Sequence, residues 1–165
     1  MHAALALLLV FSLGWLSANI YTSLSVGEAE KPLSLTSLFN GNVERYSPGD
    51  HVQEKNIHVY DDRIVIDLKG ASWSSYTDTN SMDPVIDVDA NGLEVRPTSP
   101  QDIKIGDVIA FRTRYTTGIV IHRVVDTGQD NQGWYAKTKG DNNPTVDPGK
   151  VRFKDITGVL VGVIY

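Results

Sequence analysis

The sequence predicts an all-β domain, either a small partly closed β-barrel or two packed sheets, preceded by an N-terminal transmembrane helix. Three observations predict this class. Short runs rich in β-branched and aromatic residues recur after residue 56, and turn residues separate them. No segment of helical period of any length follows residue 56. The first 26 residues, by contrast, contain one long uncharged apolar run.

The N-terminal apolar run covers residues 3–26, which are 24 residues without a charged side chain. As a helix it would be roughly 36 Å long, against a hydrocarbon core of about 30 Å. A cleaved signal peptide is the alternative, but the sequence around residues 16–18 is a poor processing site and that around 23–25 only an acceptable one. We therefore expect residues 1–26 to be a retained, single-pass membrane anchor; a buried helix is the least favoured interpretation.

Residues 27–55 predict a linker between this anchor and a β domain at residues 56–165. Proline and glycine recur through the segment, at Gly27, Pro32, Gly41, Pro48 and Gly49. Such spacing is typical of turns and open chain rather than of the interior of a helix or strand.

The β domain is predicted to begin with a hairpin, in which strands at residues 56–60 and 63–69 flank the turn Asp61-Asp62. The remaining predicted strands are rich in β-branched residues and cover residues 107–112, 119–125, 134–138 and 156–164. Turn residues, glycine above all, separate them. A set of strands without intervening helices favours a barrel or packed sheets.

The composition excludes several classes of function. The net charge is −5 and there is no basic cluster, so we expect no nucleic-acid partner. The absence of cysteine excludes disulfides, cysteine-ligated zinc and thiol catalysis. The histidines show no metal-ligand spacing, and the series Asp83, Asp87 and Asp89 resembles a calcium loop only loosely. We therefore expect no metal and no cofactor.

The most informative motif is Thr-Asn-Ser-Met-Asp-Pro at residues 79–84, at the end of a polar loop. A loop serine is ordinarily a turn former, and Ser81 would need a positioned base to become a nucleophile. His122 follows 41 residues later, and two carboxylates, Asp141 and Asp147, come after it. Nucleophile, base and acid candidates are therefore all present, each in a distinctive local setting, although catalytic triads are recognised by roles and geometry and their order along the chain differs between folds.

His122 lies on the predicted strand 119–125, where a period of two places it on one apolar face with Val120 and Val124. A histidine packed in the core is the plain alternative. A rigid strand would also fix the aim of a general base, which favours the catalytic interpretation. Arg123 is expected to point to the opposite face as a solvated charge without a catalytic role.

The segments around Ser81, His122 and residues 139–143 together resemble the type I signal peptidases. The likeness is to the archaeal and endoplasmic-reticulum branch, which uses a Ser-His pair instead of Ser-Lys. It covers about residues 81–165, and the intervals of 41 and 25 residues from Ser to His and from His to Asp suit this branch. Asp83 is a departure, because the family often has glutamate there.

The resemblance implies that Ser81 is the nucleophile, that His122 is the base and that Asp147 is the triad acid, with Asp141 in support. The competition between the two acids stays open, since the family has acids at both places and Asp141 also suits an Asx turn. The backbone N–H of Ser81 and the hydroxyl of Thr79 are the candidate donors to the oxyanion.

The function that the resemblance implies is a membrane-anchored serine endopeptidase that removes signal peptides from exported preproteins. Its catalytic domain would lie on the extracytoplasmic side. Its partners would be preprotein signal peptides and membrane lipid, and accessory subunits could join them. The substrate would bind extended, as a strand added beside the segment before Ser81 or beside residues 107–112.

Three alternatives remain. The first is an inactive membrane-anchored β domain that binds surface partners. The second is a dedicated processing peptidase for one substrate, which the sequence cannot distinguish from a signal peptidase. The third is a self-cleaving regulator, which would need a lysine base and a DNA-binding domain, and neither is visible in the sequence.

Overall fold

The computed structural model describes residues 46–165, and within them the all-β prediction is confirmed. The strands form two antiparallel sheets, and the only helical turns between residues 46 and 165 are three short 3₁₀ segments. No helix in this part of the chain is long and apolar enough to cross a bilayer. The predicted anchor and most of the predicted linker lie outside the described residues.

The smaller sheet is the predicted hairpin. Strands β1 (Ile57–Val59) and β2 (Ile64–Ile66) pair antiparallel, with His58 opposite Val65. The turn between them is closed by a hydrogen bond from Tyr60 N to Arg63 O at 2.9 Å. The β-branched residues of both strands favour the extended conformation, and the polar residues between them favour a turn.

The larger sheet has seven strands in the order β3-β4-β9-β5-β6-β7-β8. Their bounds are β3 Ala71–Ser75, β4 Asn91–Val95, β5 Val108–Arg112, β6 Ile119–Asp130, β7 Gly133–Lys139, β8 Val151–Arg152 and β9 Ile156–Ile164. Among the residues that the structure describes, the first and last strands of the order each have one partner, so this sheet is open and is not closed into a barrel.

Three of these strands, β3, β4 and β8, are not predicted by the sequence. Strand β3 has the polar sequence Ala-Ser-Trp-Ser-Ser and is largely exposed, so it lacks the alternation of a half-buried strand. Strand β4 contains Gly92 and the buried Glu94, both of which weaken a strand signal. Strand β8 is only two residues long.

Apolar side chains pack on both faces of the large sheet. One cluster consists of Ile103, Ile109, Phe111, Val124, Ala136, Val151, Ile156 and Val159. The other consists of Met82, Ile86, Ala90, Val108 and Leu160. Because Val108 and Ile109 are neighbours on β5 and belong to different clusters, the two clusters lie on opposite faces. The same alternation sends neighbouring residues of β6 to opposite faces.

The last residues of the predicted linker contact the β domain at Asp107, whose side chain is fully buried. One carboxylate oxygen accepts from Gly49 N at 2.7 Å and lies 3.0 Å from His51 Nε2. The other oxygen accepts from Lys104 N at 2.7 Å. The chain is therefore fixed to the sheet several residues before β1 begins.

Candidate active site

His122 and Asp147 are in direct contact. The distance from His122 Nδ1 to Asp147 Oδ2 is 2.6 Å, and the two side chains are 11% and 20% exposed. The Thr138 hydroxyl donates to the same Oδ2 at 2.7 Å. A carboxylate held in this way fixes the imidazole so that Nδ1 carries the proton and Nε2 is the basic nitrogen.

The strand pairing explains why these three residues meet. Val124 on β6 is opposite Thr138 on β7, so His122 and Thr138 emerge on the same face of the sheet. The chain then turns back after β7, and Asp147 N donates to Thr138 O at 2.8 Å. Thr138 therefore positions Asp147 through both its backbone and its side chain.

His122 borders a cleft of about 750 Å³, whose lining also includes Thr138 and Asp147. The imidazole packs edge-on against Phe111, with 6.5 Å between ring centroids and an interplanar angle of 63°. Among residues 46–165, His122 Nε2 has no hydrogen-bond partner. The ring is thus fixed on one side and open to a reactant on the other, as a general base requires.

Ser81 lies in a loop that Met82 anchors to the sheet. Met82 is 2% exposed and packs in the cluster with Ile86 and Leu160. Asn80, just before the serine, has a left-handed backbone with φ 54°, a conformation that asparagine tolerates. The local sequence thus gives a sharply bent, anchored loop with the serine at its turn.

The chain after β7 holds the Ser81 backbone. Asn142 N donates to Ser81 O at 3.0 Å, and Asn142 Nδ2 donates to Asn80 O at 2.9 Å. A Cβ on Gly140 would lie 2.6 Å from Ser81 O, so only glycine permits this approach. Lys139 pairs with Arg123 in the antiparallel strands β6 and β7, so Gly140, the next residue, comes opposite His122.

Ser81 and His122 are not hydrogen bonded in this structure. The hydroxyl of Ser81 is instead 3.0 Å from the Thr79 hydroxyl. The backbone N–H of Ser81 donates to no acceptor within the described part of the chain. It therefore remains available to an oxyanion, whereas the Thr79 hydroxyl is engaged with the candidate nucleophile itself.

Asp141 contacts Arg123 and not His122. Arg123 Nε and Nη2 donate to the two carboxylate oxygens of Asp141 at 2.8 and 2.7 Å, and Nη1 donates to Gly106 O at 2.7 Å. The hydrogen bonds that Arg123 donates to Asp141 raise the pKa of its guanidinium. The prediction that Arg123 is a solvated charge is wrong, because its side chain is 18% exposed and fully paired.

The ion pair of Arg123 and Asp141 lies next to the loop that carries Ser81. Asp141 N points at Met82 Sδ, 3.4 Å away, so the carboxylate that Arg123 holds belongs to the segment that clamps residues 80–82. Of the two acids left in competition by the sequence, Asp147 is therefore beside the histidine and Asp141 beside the serine loop.

The sheet leaves one of the two expected docking edges open. Strand β5 pairs with β6 on one side and β9 on the other, so the expectation of a substrate strand beside residues 107–112 is wrong. Within residues 46–165, strand β3, which precedes the Ser81 loop, pairs with β4 alone, and its other edge has no strand beside it.

Sequence reasoning missed Thr138 and Gly140 as functional positions. Thr138 is the last residue of a predicted strand and offers no signal by itself, because its role depends on a contact with Asp147. Gly140 could have been found, since a glycine beside an acidic candidate is typical of a close backbone approach. Within residues 46–165, no group of three or more acidic, histidine or cysteine side chains is placed to hold a metal ion.

Comparison with curated proteins finds similarity to signal peptidase I W of Bacillus subtilis (strain 168). The chain is 30% identical to it over 84 residues, which are 51% of this chain and 44% of that protein. The match therefore spans less than half the length of the relative. No protein-family model and no solved structure matches the chain. The similarity supports a relationship to the signal peptidase I family.

Proposed function

We propose that this chain is a membrane-anchored serine endopeptidase that removes signal peptides from exported preproteins. The observation that carries the proposal is the 2.6 Å contact between His122 and Asp147 at the mouth of a cleft, in a chain similar to a signal peptidase I. A histidine oriented by a carboxylate, with its other nitrogen free, is the base that an unactivated serine needs.

In the proposed reaction, Ser81 Oγ attacks the scissile carbonyl and its proton passes to His122 Nε2. Asp147 keeps the imidazole oriented and stabilises the imidazolium that forms. His122 then returns the proton to the leaving amine, and water releases the acyl group from Ser81 by the same route. The Ser81 N–H is the proposed oxyanion donor.

One local change is required before attack. The Ser81 hydroxyl is 3.0 Å from the Thr79 hydroxyl and is not part of the cleft lining, so it must come within hydrogen-bonding distance of His122 Nε2 when substrate binds. Catalytic hydrogen bonds are often long in the free enzyme and tighten in the complex. Thr79 is then left free to donate to the oxyanion as the second proposed donor.

The substrate is proposed to bind extended along the segment that links β3 to Ser81, since the outer edge of β3 pairs with no strand in the described part of the chain. Small side chains next to the scissile bond are proposed to fill shallow pockets beside this segment. The uncharged run at residues 3–26 supports the proposal of an N-terminal anchor, with the β domain on the extracytoplasmic side.

The test is cleavage of a model preprotein by the detergent-solubilised full chain. We compare the parent, Ser81→Ala, and Ser47→Ala as a control in an exposed serine. The expected result is cleavage at the signal junction by the parent and Ser47→Ala, and none by Ser81→Ala. A folded parent that leaves every preprotein intact would overturn the proposal and favour a binding module.

A further inference from the structure

The cleft beside His122 differs in charge from the molecule as a whole. The chain carries a net charge of −5. The cleft lining instead has four cationic residues and two carboxylates, namely Arg112, Arg114, Lys150 and Arg152 against Asp147 and Asp155. One of those carboxylates, Asp147, is already engaged by His122 and Thr138. The cleft is therefore a local basic surface on an acidic protein.

Two of the four cations share one carboxylate that lies outside the cleft lining. Lys150 Nζ lies 2.7 Å from Asp130 Oδ2, and Arg152 donates to both oxygens of the same carboxylate at 2.9 and 3.0 Å. These hydrogen bonds lower the pKa of Asp130, and the bonds from Arg152 have a larger effect than the bond from Lys150. Lys150 and Arg152 therefore brace the turn and are not free to bind a ligand.

Arg114 is in a different position. Its Nη2 donates to the Tyr115 hydroxyl at 2.9 Å, and its guanidinium lies over the Tyr115 ring, 5.0 Å from the centroid. Arg112, the remaining cation of the lining, is without an ion pair among residues 46–165 and is not stacked on an aromatic ring there. Arg114 is stacked, and no carboxylate within residues 46–165 lies at ion-pair distance from it. Its charge is thus available, and stacking on the ring reduces the conformational freedom that binding would cost.

Tyr115 in turn is held against the opposite side of the cleft. A Cβ on Gly149 would lie 2.9 Å from the Tyr115 hydroxyl, so the ring rests on the turn that follows Asp147. Gly149 has φ +87°, which other residues adopt only with strain. The loop between β5 and β6 and the turn at residues 148–150 thus meet at this end of the cleft.

We propose that Arg114, held on Tyr115, selects substrates with an Asp or Glu side chain in the peptide segment that enters the cleft beside His122. The inference rests on the proposed function, because a polypeptide substrate is what makes the recognised group a side-chain carboxylate. The planar guanidinium matches a carboxylate with two parallel hydrogen bonds. Arg114 acts on specificity and takes no part in the chemical step.

The experiment uses the full chain and model preproteins that carry Glu or Gln at successive positions on either side of the junction. The parent is expected to cleave the Glu substrate about fivefold faster in kcat/KM at one or two positions, since an exposed pair of charges contributes only modestly. The preference should shrink as salt is added, because the Debye length falls.

Two variants locate the source of this preference. Arg114→Gln should cleave the Glu and Gln substrates at equal rates. Arg114→Glu should reverse the preference for charge, so that a substrate with Lys at the same position is cleaved faster than one with Glu. Arg63→Gln is the matched control, since Arg63 is also an exposed arginine stacked on a tyrosine, 4.8 Å from the ring of Tyr60, but lies on the hairpin outside the cleft. It should keep the ratio of the parent.

Binding separates this inference from the proposed function. Affinities of the Glu and Gln peptides are measured by fluorescence anisotropy with the parent and Arg114→Gln. A Glu preference in binding that Arg114→Gln removes, without cleavage, would support the inference and overturn the peptidase. Equal cleavage and equal binding of the two peptides at every position, or an undiminished ratio in Arg114→Gln, would overturn the inference.

Discussion

Neighbouring residues on β6, His122 and Arg123, each hold a carboxylate from the segment that follows β7, on opposite faces of the sheet. His122 holds Asp147, and Arg123 holds Asp141. The two pairs have similar lengths and both are largely buried. They differ in what is left unpaired.

In the Arg123 pair, every strong donor and acceptor is engaged, because both oxygens of Asp141 are bonded and the remaining guanidinium arm binds Gly106 O. In the His122 pair, Nε2 is unbonded within residues 46–165 and the ring borders a cleft. A saturated pair stabilises the fold, whereas a pair with one free basic atom can transfer a proton. The following predictions test this difference.

The largest effect is expected from Asp147→Asn. The amide can keep a contact with Thr138, but it no longer favours the imidazole form with a basic Nε2, so kcat should fall by about 10⁴-fold. The urea midpoint should stay close to that of the parent. Preprotein cleavage and urea unfolding on one preparation measure both. An Asp147→Asn variant with near-parental kcat would remove the distinction between the two pairs.

Asp141→Asn should lower the stability of the fold, which Asp147→Asn leaves nearly unchanged. It leaves Arg123 buried without its countercharge, which costs about 3 kcal/mol of unfolding free energy. Urea unfolding measures the loss. The double variant Arg123→Met with Asp141→Leu is the control, because an apolar pair of similar volume removes the unpaired charge and should recover most of the stability. A loss well below 1 kcal/mol in Asp141→Asn would contradict the structural role.

The pH dependence should also separate the pairs. As the pH is lowered into the mildly acidic range the cleavage rate should fall, because an imidazolium cannot accept the proton of Ser81. The Arg123 pair should be unaffected there: the pKa of Arg123 is raised, so its contribution to stability is lost only at strongly alkaline pH. A rate profile at constant ionic strength tests this, and a flat profile would argue against His122 as the base.

A smaller effect is expected from Thr138→Val, which removes the hydroxyl that bonds Asp147 but preserves volume. The carboxylate is then held less firmly, and kcat should fall about tenfold, the equivalent of one lost hydrogen bond. Thr127→Val is the control at another threonine of the same strand pair. Equal kcat for the two variants would show that Thr138 does not position Asp147.

The smallest effect is expected away from both pairs, at Asp102, which caps a 3₁₀ turn. Hydrogen bonds from the Thr98 side chain and from the backbone of Thr98 and Ser99 lower its pKa from 3.8 to about 2. Its contribution is therefore present above pH 3.8 and lost as the pH falls through about 2. Asp102→Asn should cost about 1 kcal/mol at neutral pH. Urea unfolding of the parent and Asp102→Asn, at neutral pH and at a pH below about 2, should show the loss of stability only at neutral pH.

The sequence predicted the strands with clear alternation and not those without it. Strands β5, β7 and β9 are rich in β-branched and aromatic residues and were predicted to within one residue at each end. The start of β6 was predicted, but the strand runs five residues past the predicted end, to Asp130. Strand β3 forms because β4 presents a partner edge, which is a property of the fold and not of its own residues. Periodicity reports burial, so an exposed edge strand escapes it.

The residues of the candidate site were predictable from the sequence, but the hydrogen bonds between them were not. The order of Ser81, His122 and two aspartates is visible in the sequence, yet the pairing of Asp147 with His122 is visible only in the folded chain. The same holds for Arg123, whose partner lies 18 residues away. Alternation correctly gave its face but could not show which carboxylate that face would meet.

The central claim is that Ser81 is a nucleophile activated by His122, and covalent trapping tests it most directly. The full chain is treated with a signal-sequence peptide ending in a diphenyl phosphonate, which phosphonylates an activated serine with release of phenol. Mass spectrometry of the digested protein should find the adduct on Ser81 in the parent and a strongly reduced yield in His122→Ala. An adduct on another residue, or none on the folded parent, would contradict the account.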